Sequence, residues 1–550
     1  MRKLVIFLTS LLTAWTAFGQ NIPKIDSLIQ AGDYASASTI IRNGLAGATD
    51  DTEIRLRSRQ AEVLILEGKL SDAEMMLTSR MPGTGTSALA KAEWQTIRGL
   101  LYLNRTRNDM ALENLLQAQQ LFAEAGKERS AEAARSLALL SFTYFTSGKL
   151  AQAEENGVMA MQIRKAVLGE TSEAVAASYN DLGLIYGQTN PEKALEYYDM
   201  TLAIYEKLYG KEHRKLALAY NNLGVVYRTM KLYGDAVTSF ESAEAIWKKI
   251  YPDGHPNQAF ALVNLGITYG TMGNAGAARG YYERALAMYR KAYGDRHSDI
   301  SAVLNQMGLL SVEEKKYDNA LMEYQEALIA NSPSFSSTDI AVNPRAAQHY
   351  NAKVLLYTLR LKAEALEAKH LNKTLKRSDM VLALQCLQTC DTLIDMIRVN
   401  SSNEYDKLEI GASANDVYEG GVRVAQGISE ITLTGRPYNE LAFYFAEKSK
   451  SAVLQESIAD AEAKSFAGIP TELLETESQL KSSMALLNQQ LSQKPDAGTE
   501  SALRQQLFQA NRDYEAFVKR LEATYPDYYN LKFNRATPAV ADVQRQLKDG

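Results

Sequence analysis

Cysteine, proline and any surplus of positive charge are what this chain lacks. Its only cysteines among 550 residues are Cys386 and Cys390, four apart in a stretch with helical periodicity. Side chains so placed hold their Cβ atoms ~5–6 Å apart, while a relaxed disulfide wants about 3.5–4.5 Å. The pair therefore reads as two small buried hydrophobes. With no third ligand it makes a poor metal site, and no histidine is partnered with either thiol for nucleophilic chemistry. Twelve prolines over the whole length leave room for long uninterrupted helices. The 60 Lys and Arg are outnumbered by 65 Asp and Glu, giving a formal net charge of −5 with both signs interspersed. A nucleic-acid partner would need a clustered basic face, so none is expected. Beyond the N-terminal segment no run reads as long and apolar enough for a membrane span.

That N-terminal segment has the grammar of a secretory leader. Arg2 and Lys3 give a positive start, Leu4 to Leu12 an apolar core, and Ala17-Phe18-Gly19 a small-residue cleavage site before Gln20. No cysteine follows the apolar core, so a lipid anchor is not expected. Residues 1–19 are expected to be removed and the remainder exported, to the periplasm or outside the cell.

What the chain has in abundance is repetition. Leu223, Leu265 and Met307 fall 42 residues apart (265 − 223, 307 − 265), as do Gly224, Gly266 and Gly308. Ala236, Ala278 and Ala320 keep the same step, and so do Phe240, Tyr282 and Tyr324, and Ala243, Ala285 and Ala327. A fixed period of this size marks a solenoid in which each unit buries its apolar face against its neighbours. Inside one unit the spacing is helical. Leu223, Gly224 and Tyr227 share one face of a first helix, and Ala236, Phe240 and Ala243 share one face of a second. The small Gly224 and Ala236 let the two helices approach, while Tyr227 and Phe240 fill the space beside them.

This pattern resembles the tetratricopeptide repeat in its 42-residue version, similar to that of kinesin light chains. The resemblance implies an all-α, right-handed superhelical solenoid whose first helices line the concave side. Second-helix alanines at 37, 73, 111, 153, 194, 236, 278 and 320 place about eight units over residues 20–333. A polar, breaker-rich loop follows from Asn331 to Pro344. Residues 345–465 read as further helical pairs without the 42-residue signature, with helices expected over Ala346–His370 and Val381–Arg398. Residues 470–524 read as an antiparallel helical hairpin, and 525–550 as a linker to a further C-terminal domain.

The last third carries a second resemblance. Ala442-Phe443-Tyr444-Phe445-Ala446-Glu447-Lys448-Ser449-Lys450-Ser451, Gly468-Ile469-Pro470 and Tyr525-Pro526-Asp527-Tyr528-Tyr529-Asn530-Leu531-Lys532 look like the region preceding the catalytic part of CHAT proteins. In that family a caspase-like domain is joined to tetratricopeptide repeats. The resemblance, covering about Tyr438 to Gly550, implies a recognition or regulatory arm. The His and Cys of such a peptidase would lie beyond Gly550. His213, His255, His297, His349 and His370 all lie upstream, so no catalytic residue is placed on this chain. Either the sequence is the front of a longer cysteine peptidase or it is a form without the enzyme.

Among candidate sites, His213, His255 and His297 also step by 42. Stacked units would space them along the array rather than converge them on a metal. Asparagines form the more informative polar set. Asn180, Asn222 and Asn264 step by 42, with Asn221 and Asn305 alongside, all on first helices. Each amide offers a donor and an acceptor, so a ladder of them can hold an extended peptide by its backbone. The alternative is that they satisfy neighbouring helices. No Lys or Arg stands at these positions, so a clamp for a terminal carboxylate is not expected. The sequence thus points to a protein or peptide partner, with no cofactor or metal and no enzymatic activity of its own.

Overall fold

The computed structural model describes residues 21–105, 107–400, 404–433, 435–449, 468–492 and 497–526. The leader at 1–19 and residues 527–550 lie outside them, as do Lys450, Ser451 and the residues that follow up to 467. Among the described residues the chain is built of consecutive paired helices with no strand, the arrangement of a tetratricopeptide solenoid. It divides into two compact units, Met1–Ile204 and Tyr205–Gly550.

The first unit holds α1 (Asn21–Ala31), α2 (Tyr34–Leu45), α3 (Asp50–Leu66), α4 (Leu70–Ser79), α5 (Ala88–Asn104), α6 (Asn108–Glu124), α7 (Ala131–Thr146), α8 (Leu150–Leu168) and α9 (Glu173–Thr189), and its boundary falls inside α10 (Pro191–Tyr209). Side-chain caps fix several starts: the Ser87 hydroxyl accepts from the Ala90 amide at 3.3 Å and Ser130 from Ala133 at 3.2 Å. The first helices of this unit also share buried charge. Glu93 accepts from Arg55 at 2.8–3.1 Å and pairs with Arg59, whose guanidinium reaches Asp26 at 3.0 Å. Arg135 on α7 grips Glu62 on α3 with both Nη atoms, at 2.5 and 3.0 Å.

The second unit contains α11 (Arg214–Thr229), α12 (Tyr233–Ile250), α13 (Pro256–Thr271), α14 (Ala275–Tyr293), α15 (Ser298–Glu313), α16 (Tyr317–Ala330), α17 (Ala352–Lys369), α18 (Arg377–Asn400) and α19 (Glu404–Glu430). Residues 436–449 form α20, and α21 (Thr471–Ser492) and α22 (Ala497–Thr524) form the terminal hairpin around Ile469, Phe517 and Leu521. Each 42-residue unit is locked by one glycine and one ring. A Cβ on Gly224 would lie 2.6 Å from Phe240 Cε1, one on Gly266 2.6 Å from Tyr282 Cδ1, and one on Gly308 2.7 Å from Tyr324 Cζ. The alanines at 236, 243, 278, 285, 320 and 327 are fully buried beside them.

After Ala330 the helical pattern breaks for a physical reason. Asn331 and Asn351 clasp each other, Nδ2 to carbonyl at 2.8 Å and amide to Oδ1 at 3.0 Å, and Arg296 donates to the Phe335 carbonyl at 3.0 Å and to that of Ser332. The helix expected from Ala346 therefore starts at Ala352, where the Asn351 side chain caps it through the Val354 amide at 3.1 Å. Lys362 on α17, wholly buried, donates to Gln325 Oε1 at 2.6 Å and Asn343 Oδ1 at 2.8 Å. It ties the loop to the core, and burial holds its pKa below the ordinary lysine value. A π-helical turn, His370–Thr374, ends α17, and α18 starts at Arg377, ahead of the expected Val381.

One sequence expectation needs correction. The stretch Arg377–Ile397 is long and apolar enough to cross a membrane by length and composition. Its Met380, Ala383, Leu384, Leu387, Leu393 and Ile394 are instead buried in the core of this unit. The two cysteines belong to the same face: Cys386 and Cys390 are free thiols, 1% and 0% exposed, and burial pushes both pKa values up.

Candidate functional site

In the second unit the first helices lie side by side, and the asparagines show it. Asn264 Nδ2 donates to Asn221 Oδ1 at 3.1 Å, from α13 to α11, and Asn305 Nδ2 donates to Thr358 Oγ1 at 2.9 Å, from α15 to α17. These three asparagines are buried, whereas Asn222 is half-buried. Asn180, in the first unit, is also half-buried, its Nδ2 3.4 Å from Asp181 Oδ1. The sequence ladder thus has two kinds of rung: Asn221, Asn264 and Asn305 are buried between helices, while Asn180 and Asn222 are half-buried.

The exposed row on these helices is apolar. Leu218 and Phe260 sit at equivalent positions (260 − 218 = 42) and are 45% and 50% exposed, although Leu216, Leu223, Leu262 and Leu265 on the same helices are buried. Val225, Ile267 and Leu309, again in register, are half-buried behind them.

The residue that sequence reasoning missed is Arg228. Its Nη1 donates to Asn264 Oδ1 at 3.0 Å, and its guanidinium carbon stands 5.7 Å from the Phe240 ring centre. Asn264 is therefore held from two sides, donating to Asn221 and accepting from Arg228. Burial pulls the Arg228 pKa down, with only the Tyr282 phenol opposing. The equivalent positions in the next two units are Gly270 and Val312, so no period advertises it. Its one sequence signal is that very break in register.

A small cleft of about 160 Å³ lies between α17 and α19, lined by Lys353, Leu356, Tyr357, Arg360, Ile410 and Ser413. Its arginine is already neutralised, Arg360 donating to Glu364 Oε1 at 2.6 Å.

His213, His255 and His297 are helix caps. In each, Nδ1 accepts the amide proton two residues on, at 3.4, 3.1 and 3.2 Å. Each ring also stacks on the tyrosine four residues before it, at 4.0, 4.3 and 4.0 Å between centres. Their 42-residue step follows from capping the first helix of successive units. Among the described residues there is no cluster of three or more His, Cys, Asp or Glu able to hold a metal.

Comparison with known proteins bears on this architecture. A tetratricopeptide-repeat family model matches residues 142–207, 186–249, 215–291 and 257–330, so the chain carries tetratricopeptide repeats over that span. No curated protein matches it. Among solved structures it is similar to a Rap protein complexed with competence and sporulation factor, at 14% identity over 69% of this chain and 98% of that one, TM-score 0.48. It is also similar to NprR in complex with its cognate peptide NprX, at 14% identity over 70% and 99%, TM-score 0.42. A third is BtubC from P. vanneervenii, at 20% identity over 51% and 94%, TM-score 0.28.

Proposed function

We propose that this chain is an exported scaffold that binds a peptide, or an extended segment of a protein, along the first helices of its second unit. One observation carries the reading. Large apolar side chains, Leu218 and Phe260, stand about half exposed in register on helices whose leucines at 216, 223, 262 and 265 are buried. Repeated apolar exposure rimmed by amides marks an interaction surface rather than a solvated one. Asn222, half-buried, stands beside that row, and a side-chain amide there is of the type that can meet a peptide backbone.

The test is affinity selection of a degenerate hexapeptide mixture on the immobilised full chain, read by mass spectrometry. Wild type is expected to enrich a subset of sequences. Leu218→Ser with Phe260→Ser should abolish the enrichment, and Asn222→Ala should weaken it several-fold, with unchanged circular dichroism. Equal enrichment by wild type and the double variant would place binding elsewhere.

A finer reading makes this scaffold the recognition arm of a CHAT-type protein. It is supported by the resemblance of Tyr438–Gly550 and by the α21–α22 hairpin that follows the helical pairs. Intact mass of the native protein in its source decides it. A species heavier by a domain than 60.9 kDa less the leader supports the reading, and a species at that mass refutes it.

A further inference from the structure

Three neighbouring first helices differ in a way that repeat packing does not require. α11 carries Arg214, Lys215 and Arg228 and no acid; α13 carries no charged residue; α15 carries Asp299 and Glu313 and no base. Charge therefore runs from positive through neutral to negative across adjacent helices.

Two of these charges stand in the last turn of their helices, Arg228 and Glu313. The helix dipole favours a cation there and disfavours an anion by roughly 0.3–1 kcal/mol. Arg228 has a structural reason to be present, but Glu313 is placed against the stability of α15. Both act on one ring between them: burial pushes the Tyr282 phenol up, Arg228 pulls it down, and Glu313 pushes it up further.

Arg228 is the more telling of the two. Arg279, Arg360 and Arg423 in this unit each reach a carboxylate, at 2.8, 2.6 and 2.6 Å. Arg228 reaches none within ion-pair distance among the described residues, although it is half-buried and its Nη1 is oriented by the Asn221–Asn264 pair. A guanidinium that is desolvated, aimed and left without an anion is preorganised for a carboxylate.

We propose that this face takes a short extended peptide in one direction only, with a carboxylate at Arg228, uncharged side chains over Phe260 and Ile267 on α13, and the cationic end at Glu313. The proposal rests on the groove reading given above and adds the ligand's charge order and length. Packed helices stand about 8–10 Å apart, so two steps cover ~16–20 Å. An extended chain spans that in about five or six residues at ~3.3 Å each.

The test uses three hexapeptide mixtures with uncharged residues at the central positions, offered to the immobilised full chain. One has both termini free, one has an amidated C-terminus and no acidic residue, and one is amidated with Asp at position six. Wild type should retain the carboxylate-bearing mixtures about 10-fold or more over the carboxylate-free one, the scale of one charge-assisted hydrogen bond. Comparing the first and third mixtures tells a terminal from a side-chain carboxylate. Arg228→Gln should erase the preference and Arg228→Lys restore part of it. When the first mixture is also offered with its N-terminus acetylated, wild type should prefer the free amine, and Glu313→Lys, at an exposed site, should reverse that preference. If wild type retains all three mixtures equally while Leu218→Ser with Phe260→Ser loses them, peptides bind and the charge order is wrong. If wild type retains none, the groove reading falls with it.

Discussion

Gly266 and Gly270 lie one turn apart on α13, and replacing each with alanine should stabilise at Gly270 but not at Gly266. Removing a helical glycine gains about 1 kcal/mol in backbone propensity at either site. At Gly270 the new Cβ would meet only Ala278 Cβ and Leu310 Cδ2, each at 3.7 Å, an ordinary contact, so the gain should be kept. At Gly266 it would lie 2.6 Å from Tyr282 Cδ1, with Cε1 closer still and Cζ at 3.0 Å. The ring is 2% exposed and has nowhere to go, so the overpacking cost of about 1–3 kcal/mol should cancel or exceed the gain. The two variants should therefore differ by about 1–3 kcal/mol. Urea denaturation followed by circular dichroism reads the difference, and hydrogen exchange on α13 and α14 localises it, since a repeat array opens unit by unit. A double-mutant cycle with Tyr282→Leu should then show a favourable coupling of about 1 kcal/mol or more. If Gly266→Ala proves as stable as Gly270→Ala, or its cost is unchanged in the Tyr282→Leu background, the ring–glycine lock is not what sets the packing of these units.

The histidine caps predict a pH dependence. Nδ1 of His213 and His255 must be unprotonated to accept an amide proton, and burial holds both pKa values below the ordinary 6.5. On acidification the unfolded chain takes up the proton first, so stability is complete above pH 6.5 and is lost as pH falls through the folded values. The loss should be at most roughly 1 kcal/mol per cap, and His213→Asn with His255→Asn should flatten it in urea titrations from about pH 7.5 to about pH 4.5, a window that brackets the histidine titration. In the first unit, Glu93→Gln should cost about 3 kcal/mol, because Arg59, 6% exposed, loses a buried counter-charge. Hydrogen exchange should quicken in α3 and α5 while α13 is unchanged.

Much of this fold was legible because packing forces repetition. Gly224 with Phe240, Gly266 with Tyr282 and Gly308 with Tyr324 recur in the sequence since each unit must solve the same steric problem, and the structure places each pair in contact range. What local pattern could not supply were contacts between distant residues. The start of α17 at Ala352 depends on the Asn331–Asn351 clasp, and the buried Lys362 depends on Gln325 and Asn343 across the loop. Helix propensity over 346–351 knows nothing of either. In the same way α18 has the composition of a membrane span because several elements of the core pack around it.

The site obeys the opposite rule. Asn222 and Asn264 occupy equivalent positions, yet one faces outward and the other is spent holding Arg228, so periodicity alone could not rank them. A position that packing dictates repeats from unit to unit. The sequence Arg228, Gly270, Val312 at one register means packing tolerates a cation, nothing, or a branched aliphatic there. Tolerance would ordinarily signal an idle surface position, and an idle arginine would extend into water or pair with one of the many acids on the array. Arg228 does neither: it is half-buried, is oriented through two buried amides, and receives no carboxylate in return among the described residues. Such an arrangement costs folding free energy that a bound anion can recover. It is this departure from the repeat, weighed together with the carboxylate it lacks among the described residues, that makes Arg228 the residue on which the proposed charge order stands or falls.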